Sequence, residues 1–484
     1  MRALRRRLRA AVAAAVLLLP VGCARRAEGP PNILLLTIDT LRADHLSAWG
    51  YGRETSPFLD GLAAQGVRFA EAQVQWPKTG PSFASIFTAT YPRDNGIVRR
   101  VGIPLPGSFR MLAEELADRG YATRAVVANG ALGKDFNFHQ GFEEYVGSWL
   151  RTPADDGDAT GARHVTNLAL ELAEGLDGER PFFLWVHYID PHFPYVPALE
   201  YRDRFQADAH ASSAVEIAVH PILERRDMLG IGFGQVLDER TDLDFYVARY
   251  DAEIAYADAE IRRLWERLGD LGRLENTVTA FTSDHGESLG EHRYFFDHGR
   301  FGFQTCLHVP LILHAPGRLA PGVVDTPVGL IDLAPTLLQV AGVDLPEGRW
   351  MQGRSLLRYL QQDEEQGREP EIVYSEAGYG TDDNWQKVVR WGRWKLLMAP
   401  WQHDNRWIGG RGDRFTLYDL ETDAGELHDL KDERRDIGKR LHDVMAAWLA
   451  REPFQAQVEE ESAAPAPEGM TDETRKQLEA LGYL

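Results

Sequence analysis

The sequence predicts an α/β protein, built on a doubly wound, mostly parallel sheet with a small C-terminal α+β subdomain. Three observations support this. Apolar runs end in polar residues, as in Asn32-Ile33-Leu34-Leu35-Leu36-Thr37-Ile38-Asp39, and so read as buried parallel strands. Helical patterns alternate with these runs. After about residue 346 the alternation gives way to short strands and loops rich in Gly, Asp and Trp, followed by one helix.

In chain order, Arg2 to Arg9 form a basic segment, residues 10–19 a short apolar one, and Val21-Gly22-Cys23 a small-residue cleavage site. This reads as an export signal of the lipoprotein type, too short to span a bilayer, with a plain cleaved signal as the alternative. Cys23 is then the expected lipidation site, residues 23–31 a tether, and the cell envelope (periplasm or outer membrane) the expected location. The first core strand ends at Asp39. Ser56-Pro57 starts a short helix, and Lys78-Thr79-Gly80-Pro81-Ser82 starts another. A helix is predicted at 108–119, then a strand at 121–129 ending in Asn129, a helix at 165–176 and a strand at 181–190. Residues 199–241 have weak periodicity and read as an insertion near the site. A long amphipathic helix follows at 244–271, with Glu253, Asp258 and Glu260 assigned to its solvated face. Strands at 277–282 and 309–314 and a helix at 332–341 complete a larger domain over 32–345. Strands at 371–376, 387–398 and 415–420 and a helix at 436–450 make the appendage over 346–452. Residues 453–484 are a Pro/Ala linker and a terminal helix.

The 484-residue chain carries a net charge of −20, and is more acidic still without its leader arginines. Such a chain is no general nucleic-acid binder, and an anionic substrate needs a local positive centre such as a metal. Only Cys306 lies beyond Cys23, so no internal disulfide framework exists.

The polar strand ends are Asp39, Asn129, His192 and Asp284-His285. Open α/β sheets bind ligands at that edge. Together with Thr79 they supply two carboxylates, two imidazoles and a hydroxyl, an oxygen-rich site for Ca²⁺, Mg²⁺, Mn²⁺ or Zn²⁺. Thr79 at a helix start faces the positive end of the dipole, where a hydroxyl beside a metal can become a nucleophile towards an oxyanion. A simple helix cap is the competing reading for Thr79, and a satisfied turn for Asp284-His285.

The segments Ile38-Asp39-Thr40-Leu41-Arg42-Ala43-Asp44-His45-Leu46, Thr79-Gly80-Pro81-Ser82 with Thr90-Tyr91-Pro92, Asp190-Pro191-His192-Phe193-Pro194-Tyr195 and Ser283-Asp284-His285-Gly286-Glu287 occur in the order seen in sulfatases. With Leu330 to Thr336 and Leu417 to Glu421, the resemblance to the sulfatase family, a branch of the alkaline phosphatase superfamily, runs from Asn32 to about Leu430. It implies that family's sheet, and one divalent metal held by Asp39, Thr79, Asp284 and His285, with calcium first by family. It also implies that Thr79, His192 and His298 are catalytic, and that Asn129, His192 and His298 bind the substrate.

Three positions depart from the pattern. Sulfatases carry Cys or Ser at position 79, which is oxidised to formylglycine. Thr would give a ketone, so formylglycine is not expected. The arginine expected near Phe83 is absent, and Thr40 stands where many members have a second Asp. Threonine is the nucleophile of the superfamily's phosphodiesterases and phosphoethanolamine transferases. The expected function is therefore a metal-dependent hydrolase or transferase of phosphate, phosphonate or sulfate esters, small-molecule or glycan, with phosphorus esters favoured. The alternative is a surface lipoprotein that binds sulfated or phosphorylated glycans without turnover. A second zinc at His192 and His298 would need a further carboxylate, which the sequence does not reveal. Trp385, Trp401 and Trp407 read as packing ahead of sugar platforms.

Overall fold

A computed structural model describes residues 29–98, 103–150, 161–205, 215–220, 230–232, 236–343, 351–360, 371–378, 385–399, 414–451 and 470–481. Cys23 with its leader, Trp401, Trp407, the linker after 452 and much of the 199–241 insertion lie outside these residues.

The strands are β1 (Asn32–Ile38), β2 (Val67–Gln73), β3 (Ala122–Val127), β4 (Glu144–Gly147) and β5 (Phe182–Tyr188). A small pair, β6 (Ala218–His220) and β7 (Gly230–Gly232), lies in the insertion. They are followed by β8 (Thr277–Ser283), β9 (Ser288–Leu289), β10 (Phe295–Asp297), β11 (His308–His314), β12 (Gly322–Val324) and β13 (Val328–Gly329). The main sheet runs β12-β2-β11-β8-β1-β5-β3-β4, with β13 also on β2. Every pairing in it is parallel except those of β11 with β2 and β8. β1 sits at the middle between β5 and β8, with its last six residues buried.

Alternate side chains of β1 feed two cores. Ile33 and Leu35 join Phe83, Phe87, Leu112 and Leu333, from the helices Thr79–Thr88, Leu112–Ala117 and Leu333–Val340. Leu34, Leu36 and Ile38 join Leu59, Val165 and Ile254, from the helices Pro57–Gln65, Ala162–Glu174 and Leu243–Asp270. Helices thus cover both faces, as the buried run of β1 requires.

The appendage is an antiparallel sheet in the order β14 (Ile372–Ala377), β15 (Gln386–Trp391), β16 (Trp394–Ala399), β17 (Arg414–Asp419), with the helix Arg435–Leu449 on it. The run predicted as one strand over 387–398 is a hairpin, because Gly392 takes φ 55° between Trp391 and Trp394. A final helix, Asp472–Ala480, has the Thr471 hydroxyl accepting from the Thr474 N–H. The acids expected on a solvated face are instead buried: Glu253, Asp258 and Glu260 are 3%, 3% and 6% exposed. Their helix packs against both Pro57–Gln65 and Ala162–Glu174, so it has little face left for water. Among the described residues, no helix is long and apolar enough to cross a membrane.

Candidate active site

The functional side chains gather at the carboxyl edge of the sheet. Asp39 follows β1, Asp284 and His285 follow β8, Asn129 follows β3 and His192 follows β5. The helix Thr79–Thr88 starts at the same edge, after β2, with all ten residues buried. β14 holds the approach to Thr79: Ser375 Oγ donates to the Val74 carbonyl at 2.6 Å and Glu376 N to the Gln75 carbonyl at 2.9 Å. Ser82 Oγ, one turn into the helix, donates to the Asp284 carbonyl at 2.6 Å. The nucleophile candidate and the strand carrying Asp284 are therefore pinned to each other.

Asp39, Asp284 and His285 each present a ligand atom within 4.8 Å of the others, and all three are fully buried. Thr79 Oγ1 lies 3.3 Å from His285 Nε2 and 3.4 Å from Asn129 Nδ2. Asn129 Nδ2 also donates to Asp39 Oδ2 at 2.6 Å. Two carboxylate oxygens, Asp39 Oδ1 and Asp284 Oδ2, are buried without a hydrogen-bond partner. Buried carboxylates in that state call for a cation. Burial pushes the His285 imidazole down to about 3, which leaves it neutral, the form that ligates. Burial works to raise both carboxyls. It prevails at Asp284, helped by the charge of Asp39, whereas the imidazoles grouped around Asp39, His187 foremost, hold it well below the usual range. Two acids, a neutral imidazole and a hydroxyl form a donor set that fits a hard divalent cation. In this fit Asp39, Asp284, His285 and Thr79 would hold it.

His298 stands beside this group, its ring centroid 4.2 Å from that of His285, and the His192 ring is 5.3 Å from His298. Glu287 completes a second buried group with these two histidines, their ligand atoms within 4.8 Å of one another. Sequence reasoning missed Glu287, the carboxylate it sought beside His192 and His298. The carboxylate is already engaged: Oε1 takes a hydrogen bond from His298 Nδ1 at 3.1 Å and Oε2 one from the Tyr195 hydroxyl. The His192 Nδ1 likewise donates to the Phe193 carbonyl at 2.6 Å. Both rings are thus oriented through Nδ1, which aims Nε2 at the site.

Two further residues stand beside the site: Lys78, assigned no role from the sequence, and His187, read from the sequence as a support or surface residue. Lys78 is a buried cation immediately before Thr79, its Nζ 3.8 Å from Asp297 Oδ1. His187 on β5 sits between Thr37 Oγ1, 3.0 Å from Nδ1, and Asp39 Oδ2, 3.5 Å from Nε2. Phe83, at the position where an arginine was expected, packs edge-on against the His187 ring at 4.9 Å. Trp385 is buried, donates to Glu376 and meets Trp76 edge-on, which makes it packing.

The sulfatase family model matches residues 31–343, and that of the N-sulphoglucosamine sulphohydrolase C-terminal region matches 290–450. The protein belongs to the sulfatase family. Relatives in that family include an arylsulfatase of Clostridium perfringens, 25% identical over 83% of this chain and 90% of its own. A choline-sulfatase of Rhizobium meliloti is 28% identical over 90% of each chain. Among solved structures, the phosphonate monoester hydrolase of Agrobacterium radiobacter superposes with a TM-score of 0.66, at 24% identity, over 88% of this chain and 96% of that one. This sulfatase-family chain is accordingly an ester hydrolase, with the mostly parallel sheet and antiparallel C-terminal sheet of its relatives.

Proposed function

We propose that the protein hydrolyses, or transfers from, phosphate or phosphonate esters, with Thr79 as an unmodified nucleophile and one divalent cation, calcium first by family, in the Asp39–Asp284–His285 group. The observation that carries this reading is Thr79 itself, a side chain that cannot become formylglycine, set with Oγ1 3.3 Å from His285 and 3.4 Å from Asn129. Sulfate esters share the geometry and remain substrates of the same site.

Thr79 Oγ1, its proton lost to solvent, attacks the phosphorus in line and expels the ester oxygen, forming a phospho-threonine that water later cleaves. A bound cation would supply electrostatic stabilisation of charge on the transferred group and lower the hydroxyl's pKa. Asn129 Nδ2 donates at the nucleophile and steadies Asp39. Either His192 or His298, through Nε2, donates the proton that the leaving oxygen needs. The buried Lys78 adds positive potential for an anionic group. Because Glu287 is occupied in orienting His298, the second group reads as a positioning device, and one metal per chain is expected.

The test is a panel of aryl phosphate mono- and diesters, phosphonates and sulfates, with metal content measured on the same preparations. Thr79→Ala should lose at least about 10³-fold in kcat on the preferred ester. Unchanged turnover in that variant would remove Thr79 from its role, and two metals per chain would overturn the single site. The envelope location expected from Cys23 is part of the same proposal. Detergent should release the wild type from membranes, and Cys23→Ser should either become soluble or keep its leader. Wild type found soluble, with a mature N-terminus other than Cys23, would refute lipidation.

A further inference from the structure

Asn129 reaches Asp39 and Thr79 with the same amide nitrogen, so its placement matters within a few tenths of an ångström. Its own backbone is held by a residue nearly 350 positions away. Gln477, on the terminal helix Asp472–Ala480, accepts from the Gly130 N–H with Oε1 and donates from Nε2 to the Ala128 carbonyl at 2.8 Å. The two bonds bracket Asn129 on both sides and fix which end of the amide is which. The Asn129 side-chain oxygen accepts from the Ala131 N–H at 2.9 Å, so the short turn here is tied at Gly130, Ala131 and Ala128 together. A Cβ at Gly130 would collide with Gln477 Oε1, so glycine is what leaves room for that side-chain oxygen against the turn.

The helix is seated independently of these bonds. Leu478 is fully buried in the core that also holds Phe83, Met470 and Leu481 pack on the same core, and Trp149 Nε1 donates to Thr474 Oγ1 at 3.3 Å. The family match ends at residue 450, before this helix begins.

We infer that the terminal helix is part of the catalytic apparatus, and that Gln477 is a positioning residue that holds Asn129 against Asp39 and Thr79. The inference rests on the proposed role of Asn129 at the nucleophile. Two orphaned backbone groups in a buried turn would otherwise relax, and the amide nitrogen would move with them. Gln477 touches no reacting atom and acts only through that turn.

The test uses the full chain with Gln477→Met, which keeps the packing volume and removes both polar atoms, and Gly130→Ala, which displaces Gln477 from the other side. Hydrogen exchange over residues 128–132 gives a readout independent of turnover. Gly130 and Ala131 should both exchange faster in Gln477→Met, because the loss of one tie loosens the Asn129 side chain that protects Ala131. In turnover of any active ester, kcat should fall roughly 10- to 100-fold with KM little changed. Combining Gln477→Met with Asn129→Ala should cost no more than Asn129→Ala alone. Faster exchange at Gly130 with Ala131 and kcat unchanged would reduce Gln477 to a packing contact and overturn the inference. So would losses in kcat that add independently. Failure of the Thr79 assignment is a separate outcome, because it would show as an active Thr79→Ala and leave the exchange result untouched.

Discussion

Thr40 adopts φ 55°, a left-handed conformation that costs a β-branched residue about 1–2 kcal/mol. The geometry turns its N–H onto Asp284 Oδ1 at 3.3 Å, while its own Oγ1 is buried without a hydrogen-bond partner. The backbone therefore serves the site where the side chain does not. Thr40→Val keeps the shape and removes a stranded hydroxyl. It should raise stability by about 1 kcal/mol in urea denaturation and leave metal affinity within about twofold. A sharp loss of metal would instead make Oγ1 a ligand. Asp39, Asn129, Asp284, His285 and His192 could be placed at one sheet edge from the sequence, because an apolar run ending in a polar residue marks the ligand-binding edge of a parallel sheet, whereas Thr79 was read from a helix start and His298 from the family resemblance. Glu287, Lys78 and His187 were not legible as site residues, because each works through a partner far along the chain. Gln477 is the extreme case: an ordinary glutamine on a polar helix, whose role appears only when the backbone of Gly130 is set beside it.

At the scale of elements, the helix Leu243–Asp270 shows how periodicity misleads. A helix with one apolar stripe predicts a wet opposite face, but this one is enclosed on two sides, and its buried acids meet protein partners: Glu260 pairs with Arg163 and Arg263, and Asp258 bonds backbone. Asp258 accepts the N–H groups of Phe58 and Leu59 at 3.1 and 2.9 Å, receiving the free amino end of the helix Pro57–Gln65. Burial nevertheless pushes its carboxyl up to about 7. A folded-state pKa above the unfolded one means that the native state binds the proton more tightly. The contribution to stability is then full below about pH 4 and is lost as pH rises through 7, by at most about 4 kcal/mol. Asp258→Asn should flatten that part of the profile. The stability difference between wild type and variant, measured by urea unfolding at pH 4.5 and pH 8, should shift against the wild type at the higher pH. An identical difference at both values would mean that Asp258 is ionised throughout. The missed strand β2 has a related cause: Val-Arg-Phe-Ala-Glu-Ala-Gln lacks an apolar run, yet lies between β11 and β12 with its charged positions half-buried.

On the scale of the whole molecule, the alternation of strands and helices was sufficient to foresee two cores on either side of one sheet. What it could not foresee is pairing order, because nothing in a strand's own residues names its neighbours. The consequence lies in the chain's assembly. Among the described strands, β1 is the earliest to leave the ribosome, and it is central in the product. Its partners, β5 and β8, are about 150 and 245 residues further on. Until residue 283 has emerged, the uncharged sequence Asn-Ile-Leu-Leu-Leu-Thr-Ile has at least one edge with nothing of its own to pair with. Such a segment is sticky towards other chains. A chain stopped at residue 270 should therefore collect in the pellet on centrifugation even in detergent, where the full chain is released to the supernatant. A soluble, cooperatively unfolding product of that length would show that β5 alone is enough to shelter β1. Growing this protein without loss thus requires that something hold its first strand apart while more than half of the polypeptide is still being made.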